Sequence, residues 1–154
     1  MHNTMNMNTN TLSITPYETD VFAWANEQAA LIRARRFDLL DIENIAEEIL
    51  DVGKSEKREI ASRMIVLLGH LLKWKHQPGK RGSSWERTIR TQRKDVLYCL
   101  KEAPSLKPQL SNSEWMDLVW NKAVALAENE TGLDDFPEIC PWDMNDVLTE
   151  GWLP

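Results

Sequence analysis

The stretch that decides the fold is residues 56–78, EKREIASRMIVLLGHLLKWKHQP. Within it Ile60, Met64, Leu67, Leu68, Leu71 and Leu72 recur at steps of three and four, the repeat of one buried face of an α-helix. The opposite face carries Lys57, Arg58, Arg63, Lys73 and Lys75, and Gln77-Pro78-Gly79 breaks the run into a basic turn, Lys80-Arg81-Gly82. Upstream, Ile42, Ile45, Ile49 and Val52 keep almost the same rhythm across Gly53. A glycine inside a helix costs only about 1 kcal/mol relative to alanine. The pattern therefore predicts one long central helix rather than two.

Working outward, Thr19 or Asp20 caps a first helix that runs to about Arg35, with Phe22, Ala25, Ala29 and Ile32 inward and Trp24 and Leu31 widening the stripe. Residues 38–41 form a short turn, and Asp41 is placed to cap the central helix. After Pro78, Ser83-Ser84-Trp85-Glu86 reads as a capping box, followed by a helix with Trp85, Ile89, Val96, Leu97 and Leu100 on one side and Pro104 at its end. Residues 105–110 hold at most a brief turn. A second capping box, Ser111-Asn112-Ser113-Glu114, opens a helix bearing Trp115, Leu118, Val119 and Leu126 that stops at Gly132. The rest is looser, with Asp143 capping a short final helix through Leu148. No segment alternates apolar and polar residues as a strand does. The fold class is thus all-α: a single-domain helical bundle over residues 17–154, preceded by a disordered polar tail at 1–16. Its core should contain Phe22, Ile45, Ile49, Ile60, Met64, Leu67, Leu71, Ile89, Leu100, Trp115 and Leu118.

Composition narrows the function classes. The 154 residues are 42% hydrophobic and 27% charged, with seven Trp, and carry a net charge of −6. No apolar run approaches the roughly 20 residues of a membrane span, and the N-terminus lacks the pattern of a secretory signal. Cys99 and Cys140 are far apart and form no CxxC pair, which suits two reduced thiols. A cytoplasmic protein is expected. Charge is segregated: residues 54–94 hold twelve Lys or Arg against three Glu, whereas 17–53 hold three against nine and 95–154 three against twelve. The expectation is that the acidic arms cover the basic middle.

The succession Asp41-Ile42-Glu43-Asn44-Ile45-Ala46-Glu47-Glu48-Ile49, Gly53-Lys54-Ser55-Glu56-Lys57-Arg58, Leu67-Leu68-Gly69-His70-Leu71-Leu72-Lys73-Trp74, Gln77-Pro78, Ser84-Trp85, Thr88-Ile89, Gln92-Arg93, Pro104-Ser105-Leu106 and Phe136-Pro137-Glu138-Ile139-Cys140-Pro141 closely resembles the bacterial and cyanobacterial "domain of unknown function 29" family. The resemblance covers nearly everything after Pro16. It implies a small all-helical intracellular protein and brings no activity, cofactor or catalytic residue.

Individual motifs are weighed against plainer readings. Gly53-Lys54-Ser55 lacks the upstream glycine and strand of a phosphate-binding loop. Glu43, Glu47 and Asp51 lie at four-residue steps, a carboxylate metal site in outline, but without a Glu-x-x-His pair they read as a solvated acidic face. No metal or other cofactor is expected. His70, among leucines, reads as a core histidine, although with Arg63 seven residues before it the pair loosely fits a metal-independent ribonuclease. Trp74, Lys80, Arg81, Trp85 and Arg87 interleave rings with cations, as single-stranded nucleic-acid binders do, while the plainer reading has both indoles plugging the bundle end. With no complete catalytic constellation, the favoured function is an interaction module without catalytic activity that docks to an unidentified protein or to itself. RNA binding or cleavage through Arg63 and His70 is the alternative.

Overall fold

The computed structural model describes residues 14–154. The polar tail falls mostly on residues 1–13, outside the described part. Thr15 is already tied in, donating its backbone N–H and its hydroxyl to Glu27, each at 2.8 Å. All regular structure among the described residues is helical: α1 (Val21–Arg33), α2 (Ile42–His76), α3 (Ser83–Glu102), α4 (Ser113–Thr131) and α5 (Met144–Val147). Turns of 3-10 helix lie at Phe37–Leu39, Pro78–Lys80 and Pro104–Ser111. α2 is one helix of 35 residues, unbroken at Gly53, and it packs against α3 and α4. The chain divides into two compact units, Met1–Asp51 and Val52–Pro154.

In the first unit the Asp20 carboxylate caps α1 by accepting from the Ala23 N–H at 3.0 Å. The helix closes on Arg35 in the left-handed region, φ 57°, with the Arg36 N–H bonded to the Leu31 carbonyl and the Arg35 N–H to that of Ile32. That pair of bonds is a Schellman closure, here without the usual glycine. The buried face of α1 is not the expected one. Trp24 and Gln28 are buried, while Phe22 is 79% exposed, Ala25 and Ile32 are exposed, and Ala29 is half-buried. The reason is polar: the Trp24 indole N–H donates to Asp41 at 3.0 Å, and the Gln28 side-chain oxygen accepts the Asp41 backbone N–H at 2.9 Å. Those bonds fix the helix phase on two residues that aliphatic periodicity ranks low. The α2 stripe expected to face inward is open as well, with Ile42, Ile49 and Val52 exposed and Ile45 half-buried. Periodicity marks an apolar face but does not supply something to cover it.

The second unit holds the hydrophobic core. Ile60, Met64, Leu67, Leu68, Leu71 and Leu72 are fully buried, joined by Ile89, Val96 and Leu100 from α3 and by Trp115, Val119 and Trp120 from α4. At Gly69 α2 runs close to α4: a Cβ there would stand 2.7 Å from Leu126 Cδ2. The stripe on α4 is displaced from the expected one: Leu118 is exposed, and Trp120 is buried with its indole N–H on the Pro137 carbonyl at 2.9 Å. Ala123 and Ala127 on the same side are small enough to let the helices close. Leu97, likewise expected inward, is exposed on α3.

Helix ends show which local signals hold. Ser83 is already helical, with Gly82 as the N-cap, so the first capping box does not form; the Glu86 N–H instead reaches the Gly82 carbonyl at 3.1 Å. At α4 the cap is Asn112, which accepts from the Trp115 N–H at 3.0 Å, since Ser111 is drawn into the preceding 3-10 stretch. That stretch is eight residues long, more than a brief turn, and contains Pro108. Gly132 ends α4 at φ 73°, and Asp143 caps α5, both as expected.

Candidate functional site

The densest polar chemistry of the second unit sits on the last turns of α2. Lys73 is buried, its side chain only 7% exposed, and its ammonium forms an ion pair with Glu130 near the end of α4. It also lies 5.1 Å above the Trp85 ring of α3 and 3.4 Å from His70 Nε2. A four-carbon stem lets Lys73 cross apolar surroundings while its head meets charge and ring. His70 sits one turn earlier, with Nδ1 2.9 Å from the Val66 carbonyl. A carbonyl can only accept, so the ring proton is on Nδ1 and the Nε2 lone pair faces Lys73. Burial pushes the His70 pKa below its ordinary value, against the opposing pull of the Val66 bond, and the nearby ammonium pushes the same way as burial.

This cluster is poorly made for catalysis. The lone pair a general base needs is turned to the Lys73 ammonium. What it does is tie α2, α3 and α4 together at one end. Arg93 does similar work on the C-terminal stretch. Buried on α3, it donates from Nε to the Val147 carbonyl at 2.8 Å and from Nη2 to that of Trp152 at 2.7 Å. Sequence reasoning missed Lys73, Glu130 and Arg93.

The remaining sequence candidates are brought together only in part. Arg63 faces Asp95 at 3.4 Å and Glu59 at 3.8 Å, and about 10 Å of helix rise separates it from His70. Trp74 and Trp85 are half-buried, and each holds its own cation: Arg81 lies 5.2 Å over Trp74 and donates to its carbonyl at 2.6 Å, as Lys73 does over Trp85. Lys80 and Arg87 are exposed. Glu43, Glu47 and Asp51 are exposed along α2, and Glu48 beside them accepts the Tyr17 hydroxyl. Among the described residues no three His, Cys, Asp or Glu side chains group as a metal site. A cleft of about 810 Å³ lies near Trp120 and Trp142, and burial pushes up the Cys140 thiol on its wall, so no thiolate faces it.

Exposure in the basic middle, residues 54–94, is uneven. Of its twelve cations nine are exposed, Arg63 is half-exposed, and only Lys73 and Arg93 are buried. Within the second unit, Lys57 and Arg58 of α2 and Lys122 of α4 rim a groove of about 550 Å³ floored by Ile65, Trp115 and Leu118. No carboxylate lines it.

Neither the curated proteins nor the solved structures contain a match to the chain. A family model described as "Domain of unknown function DUF29" matches residues 16–153. In keeping with the arrangement above, that description names no reaction and no ligand. The match spans almost the whole chain, and this all-helical protein belongs to the DUF29 family.

Proposed function

We propose that this protein is a helical interaction module whose docking element is its first unit. The observation that carries the reading is the imbalance of that unit between residues 14 and 51. Trp24 is its one buried hydrophobic residue, while Ile14, Val21, Phe22, Ile32, Phe37, Ile42, Ile49 and Leu50 are all at least 44% exposed. Scattered exposed apolar side chains are ordinary, but this many on so short a segment leave most of its apolar surface in water. A segment of this size has too little interior to be stable on burial alone, and here polar pins at Asp41, Gln28 and Glu27 take over that task. A partner that covers Phe22 and Ile49 would supply the missing burial, at about 25 cal/mol per Å² of apolar surface removed from water.

The ribonuclease alternative is less well supported, because His70 Nε2 faces Lys73 and the Arg63 guanidinium faces two carboxylates. Among the described residues no helix is long and apolar enough to cross a membrane, so the exposed side chains are read as a protein-facing surface. The test is site-specific photo-crosslinking in cells from position 49, with position 98 on α3 as an equally exposed control. A discrete protein adduct from position 49 that position 98 does not give is the expected result. Adducts to RNA alone, or none from position 49, would refute the reading.

A further inference from the structure

Resting on that interaction reading, we infer that the partner is a second copy of this chain: the acidic, apolar stretch of α2 at residues 42–51 of one copy seats in the basic groove between α2 and α4 of the other. The two surfaces are complementary. The stretch carries Glu43, Glu47, Glu48 and Asp51 and no cation. Glu43, Glu47 and Leu50 follow at i, i+4 and i+7, so they form one line on the helix, and Ile42 and Ile49 flank it. Leu50, Ile42 and Ile49 are 58, 60 and 66% exposed. The groove offers Lys57, Arg58 and Lys122, all exposed and without an ion-pair partner among the described residues. Its floor includes Leu118, itself 55% exposed against every expectation of its helical stripe. Ten helical residues are about 15 Å long.

An apolar floor decides between a helix and a polyanion. Phosphates would use the rim cations alone and leave Ile65 and Leu118 wet, whereas an amphipathic helix uses rim and floor together. Each copy carries both a stretch and a groove, so a two-fold dimer would make the contact twice.

The test exploits that reciprocity. Glu43→Lys/Glu47→Lys takes the stretch from four net negative charges to none, and Lys57→Glu/Arg58→Glu takes the groove lining, Lys54, Lys57, Arg58 and Lys122, from four net positive charges to none. All four residues are exposed, so the fold should survive, which circular dichroism checks. By sedimentation velocity of the purified full chain, the parent is expected to be a dimer that loosens with added salt. Each double variant alone should dissociate at least about tenfold more readily, because one side of each contact has lost its net charge. An equimolar mixture should dimerise one-to-one more tightly than either variant alone, since one of its two contacts then joins the unaltered stretch to the unaltered groove. A parent that stays monomeric up to hundreds of micromolar, or variants that dimerise as the parent does, would overturn the proposal. So would RNA binding lost on Lys57→Glu/Arg58→Glu, because nucleic acid would then be the occupant. If the parent is monomeric and position 49 still crosslinks to a different protein, self-association alone falls; if position 49 crosslinks to nothing, the interaction reading falls with it.

Discussion

Replacing either member of the Lys73–Glu130 pair should expose an asymmetry between the partners. Lys73 has 7% of its side chain exposed and Glu130 has 44%. Glu130→Gln takes the carboxylate from a buried side chain and leaves only the Trp85 face and the His70 lone pair beside it. Removing one partner of a fully buried pair costs about 3–5 kcal/mol. Because water reaches Glu130, part of the pair is screened, and about 2 kcal/mol is the better figure here. In Lys73→Met the stem remains packed, the orphaned carboxylate turns to solvent, and the loss should stay near 1 kcal/mol, largely the cation–π contact. Urea unfolding at pH 7 checks this through the midpoint, with an unchanged m-value as evidence that the same transition is compared. In a thermal scan Glu130→Gln should lower Tm by about 4–8 °C. If Lys73→Met destabilised as much as Glu130→Gln or more, the cluster would be held by the ion pair itself and not by the need to neutralise a buried ammonium.

Three further outcomes follow from single positions. Gly69→Ala should change stability by no more than about 1 kcal/mol, because its Cβ would crowd only Leu126 Cδ2, the end of a half-buried side chain that can turn aside, and alanine favours helix; the bulkier Gly69→Val should cost more, measurable in urea melts. Arg35→Gly should stabilise by about 1 kcal/mol by removing the left-handed strain at φ 57°, while Arg35→Ala should not, a contrast that differential scanning calorimetry resolves. For His70 the folded pKa is depressed by burial, so the unfolded chain takes up the proton first as pH falls. Its contribution is therefore complete above the unfolded value of about 6.5 and is lost as pH falls through the lower folded value. Stability measured from pH 7.5 to 5.5 should decline in the parent and be flatter in His70→Gln.

The second unit was legible where local chemistry and burial coincide. Leu67, Leu68, Leu71 and Leu72 lie in an aliphatic run buried on nearly every side, so a small phase error does not matter. Gly132 and Asp143 act within a turn of themselves and were readable for that reason. Lys73 was not, because its partner Glu130 is 57 residues away and a lysine in a helix reads as solvated until that partner is known. Arg93 was hidden more deeply: its acceptors are the backbone carbonyls of Val147 and Trp152, which no side-chain pattern reports. In the first unit the phase of α1 was set by hydrogen bonds to Asp41, and Phe22 and Ile49 were placed inward on an assumption of coverage that periodicity cannot make.

The distribution of satisfied groups bears on function as much as any motif does. In the second unit the buried polar side chains are engaged with other elements: Lys73 with Glu130, Arg93 with two carbonyls, Trp120 with Pro137. The two buried side-chain atoms without a partner among the described residues, Gln28 Nε2 and Gln92 Oε1, belong to amides, which neither ionise near neutral pH nor attack. Active sites keep reactive groups perturbed and aimed into a cavity, whereas here the perturbed histidine faces an ammonium and the perturbed thiol of Cys140 is driven toward its protonated form. On the surface, Phe22, Ile42, Ile49 and Leu50 are exposed, and Lys57, Arg58 and Lys122 line the groove beside Leu118. Association of the kind proposed above would bury that apolar surface and bring the opposite charges of α2 together.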